Sequence, residues 1–164
     1  VIALVRIDNR LLHGQILEAW APRLGVKEVV VADDDAARSP LARAAMTLCV
    51  PPEMPARVLT LGEVDFRALA DDPRPLLLLF RDVEALARAR TLGLSPRMAP
   101  RVNLGNVHYE PGRRQITPSV FLTRDEVDTL LALAGEGFEI EARAVPAEPP
   151  LGPAEIERRY SAGR

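Results

Sequence analysis

The chain's short apolar runs, separated by amphipathic segments, most restrict what it can fold into. "VIALVR" (Val1 to Arg6) is continuous, apolar and partly β-branched, as a strand covered on both faces is. "KEVVVAD" (Lys27 to Asp33), "ARVLTL" (Ala56 to Leu61), "RPLLLLF" (Arg74 to Phe80) and "RVNLGNV" (Arg101 to Val107) repeat the pattern, and "FEIEARAV" alternates as a last strand. The segments between them read as helices. "GQILEAWAPRLG" places Ile16, Leu17, Trp20 and Leu24 near helical spacing, with Pro22 disfavouring a regular last turn and Gly25 as a stop. "SPLARAAMTLCV" has Ser39 as N-cap and Pro40 at the first helical position. A helix is expected from Glu63 to about Ala70, and another in "RDVEALARARTLG". "TRDEVDTLLALAGEG" adds a helix with a Thr123/Glu126 capping box. "YEPGRRQITPSVFL" reads as a turn at Pro111-Gly112 and a short strand. Strand and helix alternate throughout, which predicts an α/β fold with a largely parallel open sheet and helices on both faces.

Length and composition narrow the class. The 164 residues suit a single domain, 1–164, with a short Pro-linked C-terminal helix near 153–161. The longest aliphatic burst, Pro75 to Phe80, falls far short of a membrane span. Five apolar residues before Arg6 do not make a signal peptide, so a cytoplasmic protein is the expectation. A net charge of -2 gives no global attraction to nucleic acid or acidic membranes. Cys49 is the lone cysteine; no internal disulfide can form, and its apolar setting suggests a buried thiol. Lys27 is the lone lysine, so arginine supplies nearly all the positive charge.

In open α/β sheets ligands bind outside the carboxyl ends of the strands. The first such end is "VRIDNRLLHGQ", which gathers Arg6, Asp8, Arg10 and His13, followed by Gly14 and Gln15 at the start of a helix. A helix start presents unpaired N–H groups that favour an anion. Arginines add forked donors, and a neutral histidine is a competent nucleophile toward phosphorus. Residue types alone leave two readings equally open. One is a phosphate site with an active loop after the first strand; the other is an ion-pair loop in which His13 only caps the helix. A metal centre finds too few ligands, since beyond His13 the chain offers His108 and the Asp33-Asp34-Asp35 run. No Gly-rich nucleotide cradle and no nucleophile elbow occur, and no cofactor is expected.

"RIDNRLLHGQ" resembles the signature of the IIB components of the mannose/fructose/sorbose family of the phosphoenolpyruvate-dependent sugar phosphotransferase system. Arg6, Ile7, Asp8, Arg10, Leu11, His13, Gly14 and Gln15 match that signature. Asn9 stands where the family usually has a second aspartate, and Leu12 replaces a similar aliphatic. Trp20 and the later "VNLGNVHYEPGRRQ" extend the likeness. The resemblance implies that His13 accepts a phosphoryl group on Nδ1 from a IIA phosphohistidine and passes it to a sugar held by the membrane subunits IIC and IID. Asp8 is implied to position the imidazole and Arg10 to neutralise the transferring oxygens, with Arg6, Gly14 and Gln15 expected around the phosphate. Peripheral association with the membrane permease follows from the same resemblance. A homodimer is left open, since no exposed patch demands one.

Two other functions compete. A histidine-phosphatase-like hydrolase also follows its first strand with R-H-G, but Leu12 stands in place of that arginine. A regulatory phosphohistidine protein uses the same loop without forwarding the group. His108 reads as a turn residue beside Tyr109, unless its loop meets the His13 loop. Arg113 and Arg114 read as solvated or partner-facing.

Overall fold

The computed structural model describes residues 1–163. Strand β1 (Ile2–Asp8) leads through helices α1 (Gly14–Ala19) and α2 (Ala21–Leu24) to β2 (Glu28–Ala32). Helices α3 (Asp34–Arg38) and α4 (Pro40–Cys49) precede β3 (Ala56–Leu59), and α5 (Phe66–Asp71) precedes β4 (Leu76–Phe80). Helix α6 (Val83–Thr91) then leads to β5 (Arg101–Asn106). A hairpin of β6 (Arg114–Thr117) and β7 (Val120–Leu122), helix α7 (Arg124–Gly135), β8 (Glu139–Ala142) and α8 (Pro153–Ala162) complete the order. Six strands form one parallel sheet in the order β3-β2-β4-β1-β5-β8.

Side-chain alternation along the strands divides the core into two layers. Val5 and Ile7 of β1, Leu78 and Phe80 of β4, and Val102 and Leu104 of β5 face helices α5 to α8. Leu4 of β1, Val29 and Val31 of β2, and Leu77 and Leu79 of β4 face α1 to α4. Every residue of β4 is buried, as its unbroken Leu/Phe run requires; each such side chain stabilises the fold by about 2 kcal/mol. Arg6 and Asp8 alternate with Val5 and Ile7, so they point to the α1 side. The helix after β1 lies on one face and α7, after β5, on the other. The carboxyl ends of β1 and β5 therefore flank the topological switch point of the sheet.

Some local expectations change. The helix expected from Gly14 to Leu24 breaks at Trp20, because Pro22 cannot donate to the ladder. The short strand after Pro111-Gly112 is a two-strand hairpin. Cys49 is exposed, on the outer side of α4 rather than in the core. Arg113 is not solvated: it pairs with Glu126 at 3.1 Å and donates to the His108 carbonyl at 2.9 Å. No helix among the described residues is long and apolar enough to cross a membrane.

Candidate functional site

Asp8 ends β1 with a fully buried side chain. The chain turns at once: Leu11 N–H donates to the Asp8 carbonyl at 2.9 Å, closing a turn over residues 8–11. Leu11 adopts φ 59°, a left-handed conformation that costs a residue other than glycine about 1 kcal/mol. Burial of Leu11 and Leu12 in the α1-side core offsets that strain and returns the chain toward Asp8. The left-handed Leu11 left no mark in the sequence, since leucine rarely adopts this conformation.

The turn brings four polar groups onto one carboxylate. Arg6 Nη2 donates to Asp8 Oδ2 at 3.1 Å, and His13 Nε2 lies 3.1 Å from the same oxygen. The Arg10 backbone N–H donates to Oδ1 at 2.9 Å, and the Arg10 side chain adds longer contacts at 3.3 and 3.4 Å. Burial by itself pushes the Asp8 carboxyl up, but the His13 hydrogen bond, the Arg6 charge and the Arg10 N–H together hold it below the usual aspartate range. An ionised carboxylate only accepts, so the neutral His13 ring carries its proton on Nε2 and leaves the Nδ1 lone pair free.

Exposure separates the arginines. Arg10 is half exposed: its Nε and Nη2 turn to Asp8, while Nη1 lies 3.4 Å from Gln15 Oε1 at the surface. Arg6 is 2% exposed. Its Nη1 donates to Asn103 Oδ1 at 2.7 Å and to the Ala144 carbonyl at 3.1 Å, behind Asp8. Burial pulls its guanidinium below the ordinary arginine range, against the pull of Asp8. The phosphate-binding place expected for Arg6 is thus a place in the interior, supporting Asp8. Gly14 and Gln15 open α1, whose N-cap is His13 itself; no side chain caps that end, and both residues are exposed.

Asn9 and His108 meet. Asn9 Oδ1 accepts the His108 backbone N–H at 2.6 Å while Nδ2 donates to the Arg81 carbonyl at 2.9 Å. An aspartate at this position has no donor for Arg81, so the amide is what spans the loops after β1, β4 and β5. The His108 ring is 58% exposed and pairs with Glu110 at 3.4 Å. His108 thus reaches the loop after β1 through its backbone N–H on the Asn9 side chain, and its imidazole stays outside the Asp8 cluster. Among the described residues no group of three or more His, Cys, Asp or Glu side chains is placed to hold a metal.

Comparison with known proteins gives a consistent lineage. Residues 2–155 match the family described as the PTS system sorbose subfamily IIB component. An N-acetylgalactosamine-specific phosphotransferase enzyme IIB component 2 from Escherichia coli (strain K12) is 31% identical over 150 residues, covering 90% of this chain and 93% of that protein. The mannose-specific EIIAB component of the same organism is 28% identical over 158 residues, covering 92% of this chain. The chain spans 46% of the length of that relative. The IIBSor domain of the sorbose permease from Klebsiella pneumoniae shares the fold, with a TM-score of 0.83 at 23% identity over 96% of each chain. From its first strand into its last helix, the chain belongs to the sorbose-subfamily IIB components of the sugar phosphotransferase system.

Proposed function

We propose that this protein is a phosphoryl carrier of the sugar phosphotransferase system, with His13 as the transient phosphohistidine. The observation that carries this reading is the His13–Asp8 contact, which leaves Nδ1 as the free nucleophilic nitrogen. In the first transfer the Nδ1 lone pair forms a bond to phosphorus as the N–P bond of a IIA phosphohistidine breaks. The donor ring keeps that bond's electron pair. The phosphorylated His13 ring gains positive character, and the buried Asp8 carboxylate stabilises it through Nε2–H. Arg10, half exposed, neutralises the equatorial oxygens. The N–H groups of Gly14 and Gln15 add dipoles at the start of α1. Arg6 acts behind Asp8. In the second transfer the oxygen of a sugar hydroxyl, held by IIC and IID, bonds to phosphorus and loses its proton to solvent, while the electron pair of the breaking N–P bond returns to Nδ1. Transfer of this type needs positioning and charge stabilisation more than covalent machinery, and no metal or cofactor enters the scheme.

The 1–164 chain works in this proposal as one IIB unit on the cytoplasmic side, associated peripherally with its permease. The sugar is chosen by the membrane subunits. Phosphoryl donor and acceptor sites both need approach from solvent, and the His13 side chain is 19% exposed. The test is to label the protein with phosphoenolpyruvate, the general phosphotransferase proteins and a cognate IIA, then map the label. Wild type should carry an acid-labile phosphoryl group on His13, and His13→Ala should carry none. Label retained by His13→Ala would overturn the assignment. Robust hydrolysis of p-nitrophenyl phosphate would favour a hydrolase.

A further inference from the structure

Among the described residues no hydrogen bond joins the N-L-G stretch of β5 to His13, yet both Asn103 and Gly105 lie against Arg6. The strand register sets Asn103 directly opposite Arg6. Asn103 is fully buried and uses both ends of its amide. Its Oδ1 accepts Arg6 Nη1 at 2.7 Å, and its Nδ2 donates to Glu141 Oε1 at 3.2 Å and to the Arg143 carbonyl at 3.1 Å. Gly105 lies two residues on, on the same face. A Cβ placed there would overlap the Arg6 guanidinium carbon and both of its terminal nitrogens, so glycine alone leaves the space. The Trp20 ring closes the slot from the helix side, its centroid 5.4 Å from Arg6 Cζ. The Trp20 indole N–H donates to the Ala144 carbonyl at 3.0 Å, the same carbonyl that accepts Arg6 Nη1. Held this way, the guanidinium turns Nη2 to Asp8 Oδ2, the oxygen that bonds His13 Nε2. The cost is visible: Arg6 Nε is buried without a hydrogen-bond partner. The slot holds the fork aimed at Asp8 even with one donor unmet.

We propose that Asn103 and Gly105 are positioning residues of the phosphoryl-accepting site: they lock Arg6, Arg6 locks the Asp8 carboxylate, and Asp8 holds His13 with Nε2 protonated and Nδ1 free. The inference rests on the reading of His13 as the phosphoryl acceptor. It explains why a buried arginine is paired with a glycine 99 positions away, which no local sequence pattern connects.

The test is ring ¹⁵N NMR on the histidine-labelled 1–164 chain, combined with the rate of phosphoryl acceptance from IIA. The chain has two histidines, so exposed His108 serves as an internal control. Wild-type His13 should show the Nε2–H tautomer. Gly105→Ala, folded by circular dichroism, should move His13 toward mixed tautomers, leave His108 unchanged and slow acceptance by about ten- to a hundredfold. Arg6→Lys removes the wide fork, so Gly105→Ala should add little in the Arg6→Lys background. Unchanged His13 signals in Gly105→Ala, or losses that add fully in the double variant, would overturn the proposal. If Gly105→Ala does not fold, Asn103→Ala carries the same expectation, and an unmoved His13 spectrum there overturns it. The spectrum needs no phosphoryl donor. A wild type that takes no label while its variants still shift His13 would refute the carrier reading and keep the positioning chain.

Discussion

A carboxylate removed from water ordinarily gains a proton, and Asp8 is fully buried. It stays ionised because donors converge on it from both sides, with Arg6 from the interior and His13 from the surface. Asp8→Asn keeps the shape and removes the charge, leaving Arg6 buried without its counter-ion. The expected loss at neutral pH is about 3 kcal/mol of folding stability. The sign of its pH dependence follows from the depressed carboxyl. Ionised Asp8 contributes stability above the unfolded aspartate value of about 3.9, and loses it as pH falls through the lower folded value. The gap between wild type and Asp8→Asn should therefore be widest at neutral pH and narrow below about pH 4. Urea unfolding across that range measures it, and a gap that widens in acid would contradict the assigned charge state. The cluster itself was legible, because Arg6, Asp8, Arg10 and His13 lie within eight positions at a strand end. The supporting shell was not, because Asn103, Gly105 and Ala144 reach Arg6 only after the sheet forms. Asn9 gained its reason the same way, through Arg81 and His108.

Elements whose signals are local are legible in the sequence. The Thr123/Glu126 capping box is present with both hydrogen bonds, 3.1 Å from the Glu126 N–H to Thr123 Oγ1 and 3.0 Å from the Thr123 N–H to Glu126 Oε1. The same Glu126 Oε1 takes Arg113 Nε at 3.1 Å, so one carboxylate starts α7 and fixes the hairpin entry. Thr123→Ala should lower stability by about 1 kcal/mol, read as a shifted denaturant midpoint at constant slope. No change would mean that α7 is held by its buried face of Val127, Leu130 and Leu133 alone. Features set by tertiary partners leave no such local signal. The second strand of the hairpin needs its cross-strand pairs to be recognised. Cys49 has apolar sequence neighbours, but the helical period turns it outward, beside exposed Leu48. Arg113 looked solvated until α7 supplied Glu126.

Across the whole molecule the fold separates the helical layers that cover the sheet from the loops that carry the Asp8 cluster. The loops after β1, β4 and β5 meet at the carboxyl ends of the central strands, while α8 packs on the opposite layer from α1. The family correspondence ends at residue 155, within the first turn of α8. Helix α8 is anchored by Ile156 and Tyr160, and the Tyr160 ring takes two guanidinium groups, Arg114 at 4.8 Å and Arg124 at 4.9 Å. Arg124 Nη2 also donates to Glu157 Oε2 at 2.5 Å, which ties α7 to α8. Tyr160→Ala removes a largely buried ring and both cation contacts, and should cost about 3 kcal/mol. Tyr160→Phe keeps the ring face and should cost under about 1 kcal/mol. Neither should change the rate at which folded protein accepts a phosphoryl group, because among the described residues no hydrogen bond or cation contact of Tyr160 reaches Asp8, Arg10 or His13. Denaturant unfolding and the labelling rate, measured on the same samples, separate the two quantities. A labelling rate that falls in Tyr160→Ala while the protein stays folded would show that the layer packed by α8 acts on the His13 loop through the sheet.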